Sequence, residues 1–506
     1  MKNYAEVIGK GILVTFSFSI LSFLLGYAFR IFLSKSLPID EFGLFYSVMA
    51  FVALGGILTE FGAFDSLVKH IAELNAKRDY RGIKSAVVMI FFWRLILSLI
   101  VYGSVFVLAD YFELAYFKTA GAAIVLQLVL IENIINMGVY TYIFQGLQHF
   151  KFFASMEFVR VSVFFATTYL LIGNGVAGVA MANLITTIIM GMLFTAILFW
   201  QFPFFLREPF VLDKQLFWKI LKFGGILWIG SLAALISRVD ILALTTFRTL
   251  EEVGLYSTAM PTAALLLIFV SPVVNVLYPS ISALWEENKP DAVAKGMATM
   301  LRLLFAFMLP FSLIFIAFSG DILTTVFGAT FTRASPALSI LALSMIPTAM
   351  ASLFLTTLKA IGHPGRNTMI ALLVLAINFL LNWFLVPPYG IEGAAAATLI
   401  STCLMVALGA YFLNQKMPFV VEKKKAVLTL AGGLGMLLIM LWAKSAVAMN
   451  NAVIEAVLIS AAGGLFYATW IIYSRVITKH DFRSFLTANI AMPAQLKNAI
   501  LRILKD

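Results

Sequence analysis

The sequence contains little charge and almost no cysteine. Charged residues make up 12% of its 506 positions and hydrophobic residues 62%, whereas soluble domains carry about 25% charged residues. This composition excludes a soluble protein. The single cysteine, Cys403, excludes an intramolecular disulfide.

The sequence also lacks the motifs of enzymes. Its four histidines do not have the spacing of metal ligands. There is no Walker A sequence and no nucleophile with a base beside it, and the loops between apolar stretches are short. We therefore expect no enzymatic activity, no ATP-driven pump, no metal site and no bound cofactor.

Apolar stretches dominate the chain instead, and each is long enough to cross a bilayer, which takes roughly 20 residues. We predict an all-α polytopic membrane protein with about fourteen transmembrane helices. The predicted spans are 11–33, 44–68, 85–109, 119–145, 153–173, 176–200, 218–246, 253–282, 297–319, 335–360, 367–387, 391–413, 425–446 and 452–474.

The basic residues fall mostly on one side of these spans. With the N-terminus in the cytoplasm, and with residues near the cytoplasmic ends of spans counted as cytoplasmic, 27 of the 36 Lys and Arg residues lie in cytoplasmic segments, five in outer loops and four within spans. Cytoplasmic loops are the ones enriched in Lys and Arg. We predict a multi-pass protein of the cell membrane with both termini cytoplasmic. This asymmetry also explains the net charge of +11 without a nucleic-acid partner.

Two segments of the sequence are repeated at a nearly constant offset. EFGLF at 41–45 matches EVGLY at 252–256, and GVAGVAMANLI at 175–185 matches GIEGAAAATLI at 390–400 in six of eleven positions. The offset corresponds to six spans, an even number, so the two halves have the same orientation. Transporters built from such parallel repeats bind substrate between the halves.

The repeat predicts the domain organisation. An N-terminal six-helix bundle covers 1–205 and its repeat covers 206–415. Two additional membrane helices follow at 416–475, and then a cytoplasmic amphipathic tail at 476–506. The tail has one apolar helical face, which suits either the anionic inner leaflet or the protein's own cytoplasmic loops.

Charges within the spans are the strongest functional signal, because each is costly in hydrocarbon unless it is paired or hydrated. All four cations are arginines, whose planar fork matches phosphate. The charged residues are Arg30, Glu60, Arg94, Glu132, Glu157, Arg160, Arg238 and Asp240.

The spacing of these charges predicts two ion pairs. Glu157 and Arg160 are three positions apart on one helix. Glu60 and Arg94 lie at equal depth on neighbouring spans. Arg238 and Asp240 point to opposite sides of their helix, so each needs another partner or an aqueous cavity.

Two asparagines, Asn378 and Asn382, share one face of the eleventh predicted span. They either line a cavity or join helices by hydrogen bonds.

Several longer motifs resemble a known family. DILAL at 240–244, EVGLYSTA at 252–259, PSIS at 279–282, GHPG at 362–365 and PPYGIEGAA at 387–395 are similar to segments of polysaccharide-biosynthesis membrane proteins. These are the O-antigen-type flippases of the multidrug/oligosaccharidyl-lipid/polysaccharide exporter superfamily.

The resemblance implies two six-helix bundles around a central cleft. Such a protein moves a polyprenyl- or dolichyl-linked oligosaccharide from the cytoplasmic to the outer leaflet by alternating access. Its partners would be the lipid-linked sugar, membrane lipids and a polysaccharide polymerase or glycosyltransferases. We expect substrate binding by Arg94, Arg160, Arg238, Asn378 and Asn382.

The remaining intramembrane charges are candidates for gating, or for coupling to Na⁺ or H⁺. They are Arg30, Asp240, Glu60, Glu132 and Glu157. Adding the 211-residue offset to Arg30 gives a position beside Asp240, so these two opposite charges lie at matching depth and predict an outer gate. Alternatively, each reaches the outer interface by itself.

Other functions stay open at this point. A drug/cation antiporter would share the fold and use the acids for ion coupling. A lipid II flippase would also have fourteen spans, although the Arg-rich cluster expected in its first helix is absent. A membrane glycosyltransferase would need an acid pair or a large outer loop.

Overall fold

A computed structural model describes residues 4–136, 138–420, 422–446 and 451–478. Within these residues the chain is helical and has no β-strand, which confirms the all-α class. It divides into two compact units, Met1–Ser257 and Thr258–Asp506. The predicted domain boundaries at 205 and 415 stay a prediction, and most of the predicted tail, from 479 on, lies outside the described residues.

The first unit consists of helices numbered here in chain order. They are α1 (Tyr4–Ser36), α2 (Ile39–Glu60), α3 (Ala63–Ala76), α4 (Tyr80–Val107), α5 (Ala109–Phe112), α6 (Ala122–Ile135), α7 (Val139–Gly146), α8 (Phe150–Leu171), α9 (Gly175–Gln201), α10 (Phe204–Arg207), α11 (Lys214–Ser231), α12 (Ile236–Phe247) and the first half of α13 (Leu250–Ala264). Short 3₁₀ segments at Ile172–Asn174 and Leu232–Leu235 and a π-turn at Glu113–Phe117 separate some of them.

The second unit contains the rest of α13 and the helices that follow it. They are α14 (Val270–Glu286), α15 (Pro290–Ala317), α16 (Ser319–Phe327), α17 (Ser335–Ala360), α18 (Pro364–Asn414), α19 (Lys423–Ala446) and α20 (Ala452–Tyr473), with 3₁₀ segments at Leu265–Phe269 and Ala329–Ala334.

Ten stretches of the described chain are long and apolar enough to cross a membrane. Two of these stretches, at 151–201 and 364–414, are 51 residues long. The first contains the turn between α8 and α9. In the second, Gly390 has non-helical backbone angles. The protein is thus a multi-pass membrane protein, while the count of fourteen spans stays a prediction.

Helix ends follow local sequence signals. The side chain of Asp79 accepts a hydrogen bond from the backbone of Gly82 and caps α4, and Asp213 caps α11 through the backbone of Leu216. Such caps satisfy backbone N–H groups that have no partner inside the helix. Between α2 and α3 the chain turns through two left-handed residues, Phe61 and Gly62.

Apolar side chains cover the surface of the membrane helices. Leu170 is 78% exposed, Trp442 71% and Leu465 70%. Apolar exposure of this extent is unfavourable in water and suits a bilayer. In the first unit the core lies among α3, α4, α7 and α11, where Leu67, Ile90, Ile143 and Ile220 are fully buried.

The start of α9 is packed against the turn that precedes it. A Cβ atom added at Gly178 would lie 3.0 Å from the carbonyl carbon of Leu171 and 3.1 Å from Cβ of Asn174. Replacing Gly178 by Leu should therefore destabilise the fold by about 1–3 kcal/mol, the usual cost of overpacking. Gly173→Leu is the control, since nothing lies within 4 Å of an added Cβ there.

Thermal unfolding of the two purified variants in detergent checks this expectation. Gly178→Leu should have a clearly lower Tm than the unmodified protein, while the Tm of Gly173→Leu should be close to that of the unmodified protein. Equal Tm values for both variants would contradict the packing described for α9.

Candidate functional site

The fourth predicted span is broken in the middle. Helix α6 ends at Ile135, Asn136 has extended backbone angles, and α7 begins after Gly138, whose φ is +57°. Such a break leaves backbone groups without helical partners, and membrane proteins tolerate it only where other groups supply hydrogen bonds. Discontinuous helices of transporters often mark binding sites.

Glu132 lies just before the break and accepts hydrogen bonds from side chains around it. Its side chain is 4% exposed and its carboxylate accepts three hydrogen bonds. Asn133 donates to one oxygen at 2.7 Å; Asn136 and Thr187 donate to the other, each at 2.8 Å. The Glu132 cluster, as we call these four residues, joins the broken span to α9.

Arg94 approaches the same break from α4. Its Nη1 donates a hydrogen bond to the carbonyl oxygen of Asn136, and its Nη2 lies 3.9 Å from Glu60. The predicted Glu60–Arg94 pair is thereby confirmed as a contact. The arginine side chain is 6% exposed and the glutamate 46%. Arg94 Nε is buried and has no hydrogen-bond partner in the described part of the chain.

A cavity of about 820 Å³ lies next to the Glu132 cluster, within the first unit. Its walls come mainly from α7, α8 and α9. Most of its lining is apolar, with aromatic and methionine side chains: Phe91, Tyr140, Phe153, Phe194, Phe199, Met156, Met190 and Met192. Asn136 and Thr187 of the Glu132 cluster also line it.

Glu157 and Arg160 are the two charged residues on the cavity wall. They form the predicted pair along α8, with Arg160 Nε 2.9 Å and Nη2 2.6 Å from the two carboxylate oxygens. Both side chains are partly exposed, 57% and 41%. A bidentate guanidinium–carboxylate pair of this kind fixes the plane of the arginine fork.

Two further polar residues of the cavity were not anticipated from sequence. The hydroxyls of Tyr140 and Thr195 are 2.5 Å apart, and both residues line the cavity. Thr187, which connects the cavity to Glu132, was also missed. Hydroxyl residues are common in membrane helices, where they usually bond to their own backbone, so nothing in the sequence distinguishes these three.

Arg30 and Asp240 each have a hydrogen-bond partner on α13. Arg30 donates to the carbonyl oxygen of Ser257 and lies 4.3 Å from the ring centre of Tyr46. Asp240 is 1% exposed and accepts a hydrogen bond of 2.5 Å from Tyr256. The predicted gate is untested by these contacts and stays a prediction.

The remaining predicted site residues differ in exposure. Arg238 is exposed, as a cation facing an aqueous space would be. Asn378 and Asn382 are buried in α18, where the Asn382 amide donates to the backbone and side-chain oxygens of Asn378. No cluster of three metal-ligating side chains occurs in the described ranges.

The role of Thr187 can be tested by stability. Thr187→Val removes one of the hydrogen-bond donors to the buried Glu132 carboxylate. This should lower the free energy of unfolding by about 1–3 kcal/mol. Thr168→Val is a matched control, because the Thr168 hydroxyl is buried and has no hydrogen-bond partner among the described residues; its removal should be neutral or stabilising. Tm measurements in detergent compare the two, and a larger loss for the Thr168 variant would refute the role given to Thr187.

Comparisons with known proteins find relatives in archaea. The chain is 25% identical over 476 residues to an uncharacterized membrane protein of Methanocaldococcus jannaschii, covering 90% of this chain and 92% of that one. It is 26% identical over 264 residues to a "probable low-salt glycan biosynthesis flippase", Agl15 of Haloferax volcanii, covering 52% and 54%.

A similar fold occurs in a solved structure, the lipid II flippase MurJ in an inward closed conformation. The TM-score is 0.73, with 16% identity, and the match covers 91% of this chain and 99% of that one. The family model described as polysaccharide biosynthesis protein matches residues 8–285, more than half of the chain. The chain therefore belongs to the polysaccharide biosynthesis protein family.

Proposed function

We propose that this protein is a flippase that moves a polyprenyl- or dolichyl-linked oligosaccharide from the cytoplasmic to the outer leaflet by alternating access. Family membership and the relative named as a glycan biosynthesis flippase support this proposal. The observation that carries it is the cavity of the first unit, which is apolar on most of its wall and presents one arginine–glutamate pair.

This cavity suits an amphiphile with a diphosphate. The planar fork of Arg160 matches phosphate oxygens, while aromatic rings such as Phe153 and Phe199 offer apolar faces to sugar or lipid. With the predicted orientation, the cavity lies toward the cytoplasmic half of the spans. The lipid-linked glycan would enter there, with the exposed Arg238 as a further phosphate contact.

We also propose the parallel repeat as the basis of the motion. The repeated segments 175–185 and 390–400 begin with the same backbone conformation. Their first residues, Gly175 and Gly390, both have a positive φ, +62° and +55°. Three residues later, Gly178 and Gly393 each lie close to the backbone of the segment before them. An added Cβ would contact backbone atoms of Leu171 at Gly178 and of Leu385 at Gly393. Matching backbones at matching positions support two related halves, 1–205 and 206–415.

Ion coupling is proposed at Glu132. Glu132 is the most deeply buried glutamate of the described chain, and Thr187 connects it to the cavity wall. Arg94, Arg160, Glu60 and Glu157 are the charged side chains around it. Binding of H⁺ or Na⁺ by this carboxylate would weaken its hold on the α6–α7 break and link ion movement to substrate movement.

Two other transport functions remain as alternatives. A drug/cation antiporter would use the same cavity for a lipophilic cation, attracted by Glu157 and the aromatic rings. A lipid II flippase is the alternative favoured by the MurJ-like fold. Assembly with a polymerase or glycosyltransferases is part of the proposal for a glycan flippase only.

Substitution of Arg160 tests the substrate proposal. In proteoliposomes with a polyprenyl-diphosphate oligosaccharide, Arg160→Lys should lower the flipping rate by roughly 10- to 100-fold, because loss of a charge-assisted hydrogen bond costs about 1.5–3 kcal/mol. Arg160→Ala should lower it further. The control is Arg248→Lys, since Arg248 also pairs with a glutamate nearby in the chain, Glu252 at 2.9 Å, and lies outside the cavity.

Unchanged flipping by both Arg160 variants would contradict the assigned site. Transport of a lipophilic cation or of lipid II by the unmodified protein, with no transport of the lipid-linked oligosaccharide, would favour one of the alternatives instead.

The proposed orientation is testable by thiol labelling. In a Cys403→Ser background, Lys424→Cys should be protected from an impermeant thiol reagent in intact cells, because the Lys423–Lys425 run is assigned to the cytoplasm. Ser445→Cys, at the other end of α19 and exposed, should be labelled. The opposite pattern would reverse the topology of the whole chain.

A further inference from the structure

Helix α2 meets other helices through glycine at both of its ends. At its first end, an added Cβ on Gly43 would lie 2.8 Å from the carbonyl carbon of Leu250 and 2.9 Å from the nitrogen of Gly254. A Cβ on Gly254 would lie 2.6 Å from the oxygen of Ile39. Here α2 and α13 are in backbone-to-backbone contact, and neither position has room for a side chain.

The second contact lies just past the other end of α2. A Cβ on Gly62 would lie 2.9 Å from the carbonyl carbon of Gly224 and from the nitrogen of Trp228, and a Cβ on Gly224 would lie 2.9 Å from the oxygen of Gly62. Two hydrogen bonds flank this contact with α11: Ser66 to the oxygen of Ile220 at 2.7 Å and Trp228 to the oxygen of Ile57 at 2.8 Å.

Near each of these two glycine contacts lies a side-chain contact that can be used to detect whether the helices are together. At the Gly43 end, the hydroxyls of Ser47 and Thr245 are 2.7 Å apart and buried. At the Gly62 end, Lys219 lies 3.4 Å from Glu73. Burial opposes the ionised form of Glu73, but its basic neighbours, Lys219 first among them, together outweigh burial and hold the pKa of Glu73 below its usual value.

The repeat relates the two glycines of the first contact to each other. Gly43 and Gly254 are the third residues of EFGLF and EVGLY, the first pair of repeated segments. The two copies of one motif therefore face each other. Both contacts join α2, from the predicted first half, to α11 or α13, from the predicted second half.

We propose that the Gly43–Gly254 and Gly62–Gly224 contacts are the two gates of the transport cycle, and that only one of them separates at a time, so that one gate stays closed while substrate passes the other. This inference rests on the proposed alternating access. Both contacts are made in this structure, so it corresponds to a state closed at both ends of α2. With the predicted orientation, Gly43–Gly254 closes the outer side.

Glycine at these positions has a physical reason. Glycine-containing helix faces allow two backbones to come into direct contact in membranes. Such a contact closes the substrate path, and no long side chains have to change conformation each time it opens and closes. A side chain at either position would hold its gate open. A gate held open at one end should then increase closure at the other.

Crosslinking tests this reciprocity in protein reconstituted in nanodiscs, in a Cys403→Ser background and without substrate. Ser47→Cys with Thr245→Cys reports the Gly43 end by disulfide formation. Glu73→Cys with Lys219→Cys reports the Gly62 end through a short bifunctional thiol reagent. Gly254→Leu should abolish crosslinking at the Gly43 end and raise the yield at the Gly62 end. Gly224→Leu should abolish crosslinking at the Gly62 end and raise the yield at the Gly43 end.

Gly103→Leu on α4 is the control, because nothing lies within 4 Å of an added Cβ there, and it should leave both yields unchanged. Loss of both crosslinks together in the Gly254 and Gly224 variants, or no change at the distant end, would overturn the inference and leave the glycines as static packing. Gly254→Ala and Gly224→Ala provide the same comparison if the leucine variants do not fold. Since no substrate is present, failure of the glycan transport assay is distinguishable from failure of the gates.

Discussion

The hydrocarbon core of a membrane contains no water to solvate a charge or to hydrogen-bond the backbone groups at a break in a helix. This constraint explains how the first unit is arranged. The interruption at Asn136 removes helical hydrogen bonds from a membrane span, so other groups must replace them. Arg94 donates a hydrogen bond to the backbone carbonyl of Asn136, and the Glu132 carboxylate accepts one from the side-chain amide of Asn136. Each of these charges is itself unfavourable in the membrane, but together with the break they satisfy one another. The cavity lies beside this arrangement, with Asn136 and Thr187 on its wall.

The same constraint shows which parts of the structure were predictable. Charges in apolar spans are conspicuous in a sequence, and spacing along a helix or equal depth on adjacent helices limits their partners. The pairs Glu157–Arg160 and Glu60–Arg94 were predicted on these grounds and are present. The helical class and the multi-pass membrane character followed from composition alone. The role of each charge in transport is a matter for experiment.

Other features depend on tertiary contacts that sequence does not encode locally. Thr187 and Thr168 look alike in the sequence, yet Thr187 donates to a buried carboxylate and Thr168 has no hydrogen-bond partner in the described residues. Asp240 was recognised as needing a partner, but Tyr256 was not identified as one because it lies on another helix. The repeated EFGLF and EVGLY segments were visible as a pattern, while the contact between their glycines required the fold.

The pairing of Arg160 with Glu157 suggests how a site for a charged lipid stays stable when empty. An arginine alone on the wall of an apolar cavity would be poorly solvated, whereas the bidentate glutamate satisfies two of its donors. A diphosphate entering the cavity offers the guanidinium an equivalent partner. Glu157 is 57% exposed, so it can be hydrated once displaced, and the exchange avoids leaving a buried charge unpaired. Glu132 has no such option, because it is 4% exposed. Any change in the charge of Glu132 must be balanced by its hydrogen-bond donors or by a bound cation, which is why we propose ion coupling at Glu132 and not at Glu157.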